Sequence, residues 1–469
     1  MEVQEKVLME SVSGVRGIVG AGLTPFSVLR YASAFGELQR SRYKVQTDGV
    51  GPLLVIGRDS RVSGLAIEKM LLGMFLCQGY QVQILGIVPT PTVQFLVMKQ
   101  QDAVGGVIVT ASHNPIEWNG LKFVDRDGLF LDSELCEVLF CRARCQEVLE
   151  GVYQKVPIGH VFERSDAVHM HVHSILSLPY MDVAAIAKKR FKVCVDSING
   201  AGGLAMKLLL ETCGCEATYL NFEPTGIFAH EPEPVAANLS QLCRAVQETR
   251  SDFGIAIDPD SDRCVLIDET GRPLGEEYTL GISVDFLLGS RGKRGCVVKN
   301  ISTSRLIDDL GKRYGCVVHT SPVGEVHVAK RMLKENAIIG GEGNGGVMLP
   351  DLHIGRDAPV AAAIVIMQLT LVNTTLSAYK ASLPQWEMVK LKVPEASPHF
   401  SRAIELIKAE WTRENVKICE IDGIRVDAPR FWVHVRKSNT EPIIRVISEA
   451  RTKEEAADIG QQFIKYVLS

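Results

Sequence analysis

Four short segments carry side chains suited to holding or moving a charged group. The first, Thr110-Ala111-Ser112-His113-Asn114-Pro115, closes a β-rich run that starts at Ala103. Pro115 stops regular structure and biases Asn114 toward an extended backbone. The run therefore delivers Ser112 to the end of a strand, the edge where α/β proteins place their sites. A serine there can be a nucleophile, a phosphate carrier or a plain turn residue. A hydrolase serine fits worst: no G-x-S-x-G elbow surrounds it, and adjacent side chains such as those of Ser112 and His113 point apart in an extended chain. Lys122 lies on the following strand, from which it can return to the serine.

The second segment is Asp258-Pro259-Asp260-Ser261-Asp262-Arg263, set between the apolar runs Phe253 to Ile257 and Cys264 to Ile267. Carboxylates at every second position can converge on one hard cation. The alternative is a solvated acidic loop, but three unpaired carboxylates beside apolar strands are electrostatically costly, which favours a metal. With Glu269 the spacing echoes an EF-hand, yet that loop needs glycine where Arg263 stands and helices where strands are expected. Three aspartates suit an octahedral ion such as Mg2+ with open positions for a phosphate oxygen. Arg263 can bind another oxygen of the same phosphate.

Gly341-Glu342-Gly343-Asn344-Gly345-Gly346 matches G-x-G-x-x-G, but Pro350 follows and blocks the helix a dinucleotide site requires. A tight loop whose glycines admit a ligand fits better, with Glu342 and Asn344 facing paired sugar hydroxyls. Finally, Arg436-Lys437-Ser438-Asn439-Thr440-Glu441-Pro442, with Arg445 beyond, is either a polar hairpin or a phosphate clamp.

These loops need elements to hold them. Pro52 to Arg58 reads as a strand, Ser63 to Gly79 as a helix with Ser63 as its cap, and Tyr80 to Gly86 and Ala103 to Thr110 as strands. That β-α-β-α-β order predicts a mostly parallel sheet. The rhythm returns at Phe191 to Asn221 and at Cys296 to Thr320, giving three related α/β units. From Trp386 the pattern changes to strands, a helix from Pro398 to Glu410 and a last helix opened by Thr452 and Glu455 as a capping box. This α+β unit spans about 85 residues. Linkers are expected near residues 155–180, 268–276 and 376–388. His169, His171 and His173 alternate, which predicts one solvated face of a strand with no carboxylate to complete a metal site.

The chain has 469 residues, a formal net charge of -4 and 46% hydrophobic residues. That gives no electrostatic case for nucleic acid or an acidic membrane surface. The acidic start of the chain is not a signal peptide. Ala358 to Val372 is apolar but too short for a span and reads as a buried helix. Twelve cysteines without a C-x-x-C read as reduced thiols.

In order and spacing, the four loops together resemble the α-D-phosphohexomutase family. Gly57-Arg58-Asp59-Ser60-Arg61, Pro89-Thr90-Pro91-Thr92 and Ser13-Gly14-Val15-Arg16-Gly17 add to the likeness. The resemblance implies three related α/β domains, with mostly parallel-type mixed sheets, and a smaller C-terminal α+β domain around a central cleft. The expected domains are 1–160, 161–268, 269–383 and 384–469, with one site loop each. It implies Ser112 as phosphoserine, with Asp258, Asp260, Asp262 and the serine phosphate around one Mg2+ per chain. Arg16, His113 and Lys122 match residues near the phosphoserine, with Lys122 as general base and Arg16 positioning or acting as acid. Arg263, Gly324, Glu342 and Asn344 match sugar-phosphate contacts, and Arg436, Ser438, Asn439, Thr440 and Arg445 the distal phosphate site.

The implied reaction moves phosphate between the 6- and 1-positions of a hexose through a bisphosphate, which also serves as activator. The implied enzyme is a cytoplasmic monomer or homodimer whose partner is a small hexose phosphate, with no nucleic acid or membrane. Ser261 stands where many members have glycine. Gly346 stands where several bacterial members have histidine, and Asn344 replaces their serine. This glycine-rich version is most similar to phosphoglucosamine mutases of the archaeal-like type, which share the scaffold with phosphomannomutase and phosphoglucomutase. A metal-dependent phosphatase and a non-catalytic sugar-phosphate binder are the rival classes.

Overall fold

The computed structural model describes residues 8–43, 51–145, 157–394, 400–438 and 443–468. Its strands form four sheets of seven, four, five and five strands. In the first, Leu53–Arg58 lies between Gln81–Ile87 and Ala103–Val109, all parallel. The antiparallel strands Trp118–Asp125, Gly14–Ile18 and Leu8–Ser11 extend one side. The sheet is therefore mixed: the β-α-β-α-β order fixes only its parallel centre, and the hairpins flank it. Val161–Glu163 pairs with Gln81–Ile87, so this sheet reaches past residue 160.

The second and third sheets repeat the design. Lys192–Asp196 pairs parallel with Phe253–Ile257 and Glu216–Leu220, and Cys264–Asp268 adds an antiparallel edge. Val297–Asn300 pairs parallel with Val318–Ser321 and Ile339–Glu342, followed by antiparallel Gly346–Leu349 and His353–Arg356. The fourth sheet, from Glu387–Pro394 to Ile443–Ala450, is wholly antiparallel. One apolar core runs through the first three units, and the C-terminal unit has its own.

Each site loop occupies the same topological place, the turn between a strand and its antiparallel neighbour. Ala103–Val109 turns into Trp118–Asp125, Phe253–Ile257 into Cys264–Asp268, Ile339–Glu342 into Gly346–Leu349, and Trp432–Lys437 into Ile443–Ala450. No helix follows the glycine-rich turn, as Pro350 requires.

Helix starts follow local chemistry. Thr90–Lys99 carries Pro91 in its first turn, where no backbone bond is lost. Thr452 Oγ1 accepts from Glu455 N, half of the expected box. Ser63 sits at the N-cap of Gly64–Cys77, but its hydroxyl makes no cap bond and accepts from Asn119 instead.

Two expectations are corrected. Residues 155–180 and 376–388 are not plain linkers, since they hold the helices Ala167–Leu176 and Leu376–Ser382. The three alternating histidines therefore lie on a helix, not a strand. His171 is fully buried, and a carboxylate does complete its surroundings. His171 and His353 both turn Nε2 to Asp357 Oδ2, at 2.8 and 2.9 Å. Thr92 Oγ1 lies 3.0 Å from His171 Nδ1, and Phe95 stacks on its ring. The alternation concealed this because its partner lies far along the chain.

Asp357 also caps Ala358–Val372, which is buried through Thr370. No single helix among the described residues is long and apolar enough to cross a membrane. This helix and Leu376–Ser382 meet that test only jointly, bent by 85°.

Burial holds His353 below its usual value of 6.5, although Asp357 pulls the other way. Folded His353 thus binds fewer protons than the unfolded residue, and stability rises with pH through this range. The urea midpoint should fall as pH drops below about 6.5. His353→Gln should lessen that fall, and an unchanged pH slope would contradict the assignment.

Candidate active site

The serine loop is shaped by a buried arginine. Arg61, 1% exposed, is held by Asp59 through Nε at 3.1 Å. Its guanidinium donates to the carbonyls of Ser112, Asn114, Pro115 and Trp118. Thr110 Oγ1 donates to Asp59 at 2.6 Å and accepts from Ser112 N. Ser112 is thereby fixed at φ +50, a region non-glycine residues rarely adopt and that concentrates at functional sites. The loop is not extended. The turn brings His113 Nδ1 to 3.3 Å from Ser112 Oγ, correcting the expectation that the two point apart. Burial, then Arg263 and Arg16, holds His113 well below 6.5, which keeps it neutral.

Beneath Ser112 lie Asp258, Asp260 and Asp262, each 0% exposed. Their ligand oxygens lie within 4.8 Å of one another. Each carboxylate is tied by one oxygen. Asp258 Oδ1 accepts from the backbone N–H of Asp262 and Arg263. Asp260 Oδ2 accepts from Lys122 Nζ at 2.7 Å and Thr90 Oγ1 at 2.8 Å. Asp262 Oδ2 lies 3.4 Å from Lys122 Nζ and 2.5 Å from Arg356. The other oxygens of Asp260 and Asp262 are buried without a hydrogen-bond partner, with Arg263 Nε 3.8 Å from Asp262 Oδ1. Asp258 Oδ2 faces Ser112 Oγ at 3.2 Å.

Two orphaned oxygens and one facing the serine form a hard-oxygen donor set that fits a divalent cation. Without one, burial and repulsion from Asp262 and Asp260 push Asp258 well above the carboxylate range. Burial pushes Asp260 the same way, but the Lys122 ammonium outweighs it and holds Asp260 low.

Lys122 does return to the serine loop, but through the carboxylates. Burial disfavours its charge, yet Asp260 and Asp262 raise its pKa above 10.5. Lys122 is thus an ammonium paired with two carboxylates of the triad. Arg16 NH1 donates to Asn114 at 2.9 Å; burial brings its pKa down to about 10 against the pull of Asp260 and Asp262.

A cleft opens above, lined by Arg16, Ser112, His113, Lys122, Arg263, Gly324, Glu342, Asn344, Arg436, Ser438 and Arg445. Asn439 and Thr440 lie outside the described residues. Glu342 accepts from Asn300, Gly324 N and Arg356. Arg436 is braced by Asp422 at 3.1 Å, and Arg445 Nε lies 3.4 Å from Ser438 Oγ.

Arg356 is the residue that motif reading missed. It spans Asp262 of the acidic loop, Glu342 of the glycine-rich loop and Glu325 beside Gly324. Burial opposes its charge, but those three carboxylates raise its pKa well above the usual value. Gly346 makes room for it: a Cβ there would meet Arg356 Cδ at 2.3 Å. The available signal was Arg356-Asp357 standing at the head of an otherwise apolar helix. Thr90, which holds Asp260, was visible only as part of a motif.

A serine over an acid triad, opposite arginine-lined loops at the turns of three α/β units and a C-terminal α+β unit, marks a four-domain phosphotransferase. Residues 9–139, 169–271 and 276–386 match phosphoglucomutase/phosphomannomutase alpha/beta/alpha domains I, II and III, and residues 388–465 match the C-terminal domain. The chain belongs to the phosphoglucomutase/phosphomannomutase family, whose members are phosphate-transferring, metal-dependent isomerases. It is 36% identical to a phosphoglucomutase/phosphomannomutase of Thermococcus kodakarensis, covering 96% of each chain. It is 32% identical to a phosphoglucosamine/phosphogalactosamine mutase of Sulfurisphaera tokodaii, over 97% of this chain and 98% of that one. The N-acetylphosphoglucosamine mutase of Aspergillus fumigatus, solved with GlcNAc-6P and magnesium, shares the fold. Its TM-score is 0.60 at 16% identity, covering 100% of this chain and 96% of that one.

Replacing Arg356 by methionine strands three buried carboxylates, which should cost about 3–5 kcal/mol. The urea midpoint should fall accordingly, and Arg356→Lys, with a single ammonium for three partners, should recover only part. An unchanged midpoint would contradict the bridging role.

Proposed function

We propose that the chain is a hexose-phosphate mutase that moves phosphate between the 6- and 1-positions through Ser112. The proposed reaction converts glucosamine 6-phosphate to glucosamine 1-phosphate, with mannose and glucose phosphates as the alternative substrates. The observation that carries this reading is the set of free carboxylate oxygens beneath Ser112 Oγ, faced across the cleft by Arg436 and Arg445. The glucosamine preference is supported by the name of the Sulfurisphaera relative and by the glycine-rich sugar loop.

The charged enzyme carries phosphate on Ser112. A hydroxyl of the bound sugar attacks phosphorus, its O–P bond forms as the Ser112 O–P bond breaks, and its proton leaves to a base. Lys122 is the proposed base for that proton, and His113, 3.3 Å from Ser112 Oγ on the leaving side of an in-line transfer, is placed to take the Ser112 proton when the serine is phosphorylated again. The bisphosphate turns over, and Ser112 takes the other phosphate. Asp258, Asp260 and Asp262 would hold a Mg2+ ion, which would supply charge neutralisation at the transferring group, in keeping with the magnesium in the Aspergillus enzyme's complex. Arg16 and Arg263 line the cleft beside Ser112 as cations already in place, so they need no reorganisation as charge develops. Glu342 and Asn344 hold sugar hydroxyls. The loop of Arg436, Ser438, Asn439, Thr440 and Arg445 grips whichever phosphate is distal and so acts mainly in positioning.

Coupled assays with glucosamine, mannose and glucose 6-phosphates should give the highest kcat/KM for glucosamine 6-phosphate. Net release of inorganic phosphate from all three would make the protein a phosphatase instead. Ser112→Ala should keep its fold and lose nearly all mutase activity, and a fully active variant would sink the assignment. Asp260→Asn should weaken the Mg2+ dependence, and Arg436→Ala should mainly raise KM.

A further inference from the structure

The C-terminal sheet offers a cation to the cleft from outside the four loops. Lys390 lies on Glu387–Pro394, directly opposite Ile447 on the neighbouring strand. Two residues along, Lys392 is opposite Arg445, which is in turn opposite Arg436. Residues opposite one another, and residues two apart on a strand, share a sheet face. Lys390, Arg445 and Arg436 therefore project from one face, and all three line the cleft with Ser438. As diagonal neighbours, Lys390 and Arg445 have Cβ atoms about 7–8 Å apart, close enough for a lysine and an arginine to meet on one phosphate.

Lys390 is occupied in a way that suits exchange. Its ammonium pairs with Glu276 Oε2 at 2.9 Å, with Glu277 and Glu233 adding to the pull, and the Lys390 and Glu276 side chains are 39% and 17% exposed. Glu276 precedes the helix Glu277–Asp285 of the third unit, so the pair crosses the cleft wall to the C-terminal unit. A half-open ion pair of this kind contributes little on its own. A phosphate monoester carries more charge than one carboxylate and three acceptor oxygens, so it can take the lysine from Glu276.

We propose that Lys390 is a phosphate-binding residue of the distal site, held by Glu276 until the phosphate of a sugar phosphate displaces it. The identity of the anion rests on the mutase reading, while the anion contact itself does not. Glu276 and phosphate compete for one ammonium, so weakening either interaction must strengthen the other.

The test is calorimetric titration of the full chain with inorganic phosphate, the divalent cation chelated so that the acidic loop recruits no anion. Lys390→Met should weaken phosphate binding by about tenfold, and Lys390→Arg should restore it to within about threefold. Glu276→Gln should tighten it severalfold. In the mutase assay, Lys390→Met should raise KM with kcat nearly held. Wild-type phosphate affinity in Lys390→Met overturns the proposal. So does a Glu276→Gln variant that loses affinity in parallel with Lys390→Met, because the pair would then be a structural tie. An inactive wild type would overturn the mutase reading, and the phosphate titration would still decide Lys390.

Discussion

The structure is organised around a repulsion. Asp258, Asp260 and Asp262 are fully buried with their ligand oxygens within 4.8 Å of one another. Two like charges 4 Å apart oppose each other by about 4 kcal/mol at an effective dielectric of 20. Holding three such groups together requires cations and donors fixed in advance. Lys122 and Thr90 come from the first unit, backbone N–H groups from the loop itself and Arg356 from the third. Each tie takes one oxygen and leaves another, so the repulsion is contained but not cancelled. What remains is an affinity for a hard cation, set directly under a serine.

That arrangement explains the repeated architecture. A hairpin turn at the end of a parallel strand places a short loop on a rigid edge, and the chain uses the device in every unit. Because the first three units share one apolar core, their loops are held in fixed relation. Arg356 can therefore contact the acidic loop and the glycine-rich loop at once. The C-terminal unit, with its own core, touches the third through Arg305, whose guanidinium donates to Asp427, Ala428 and Phe431. The cleft is thus walled by three units that share a core and by a C-terminal unit that has its own.

The sequence disclosed whatever is local. Strands bounded by proline and glycine, the buried helix at Ala358–Val372 and the loops themselves are short-range patterns, and their element types are as expected. What depends on long-range contact was hidden. Arg61 serves four carbonyls up to 57 residues away, and Arg356 reaches Asp262 across 94. The backbone turn at Ser112 follows from Arg61 and Thr110, not from proline alone. For the same reason the two aspartates that hold Lys122 were out of view. His171 looked solvent-facing because Asp357 lies far along the chain.

The two departures from the family pattern now have physical content. Ser261 adopts φ +56, the region that suits glycine, and its hydroxyl is buried without a partner, yet its carbonyl still receives Ala358 N. Gly346 leaves the space through which Arg356 passes. The central claim is that Ser112 carries phosphate only in partnership with the acid triad. Incubation with a hexose 1,6-bisphosphate and Mg2+, followed by intact-mass and peptide analysis, tests it directly. The account predicts a single adduct of about 80 Da on Ser112, discharged by added hexose monophosphate and absent in Asp260→Asn. An adduct on another residue, or one that forms equally without the triad and the metal, would contradict it.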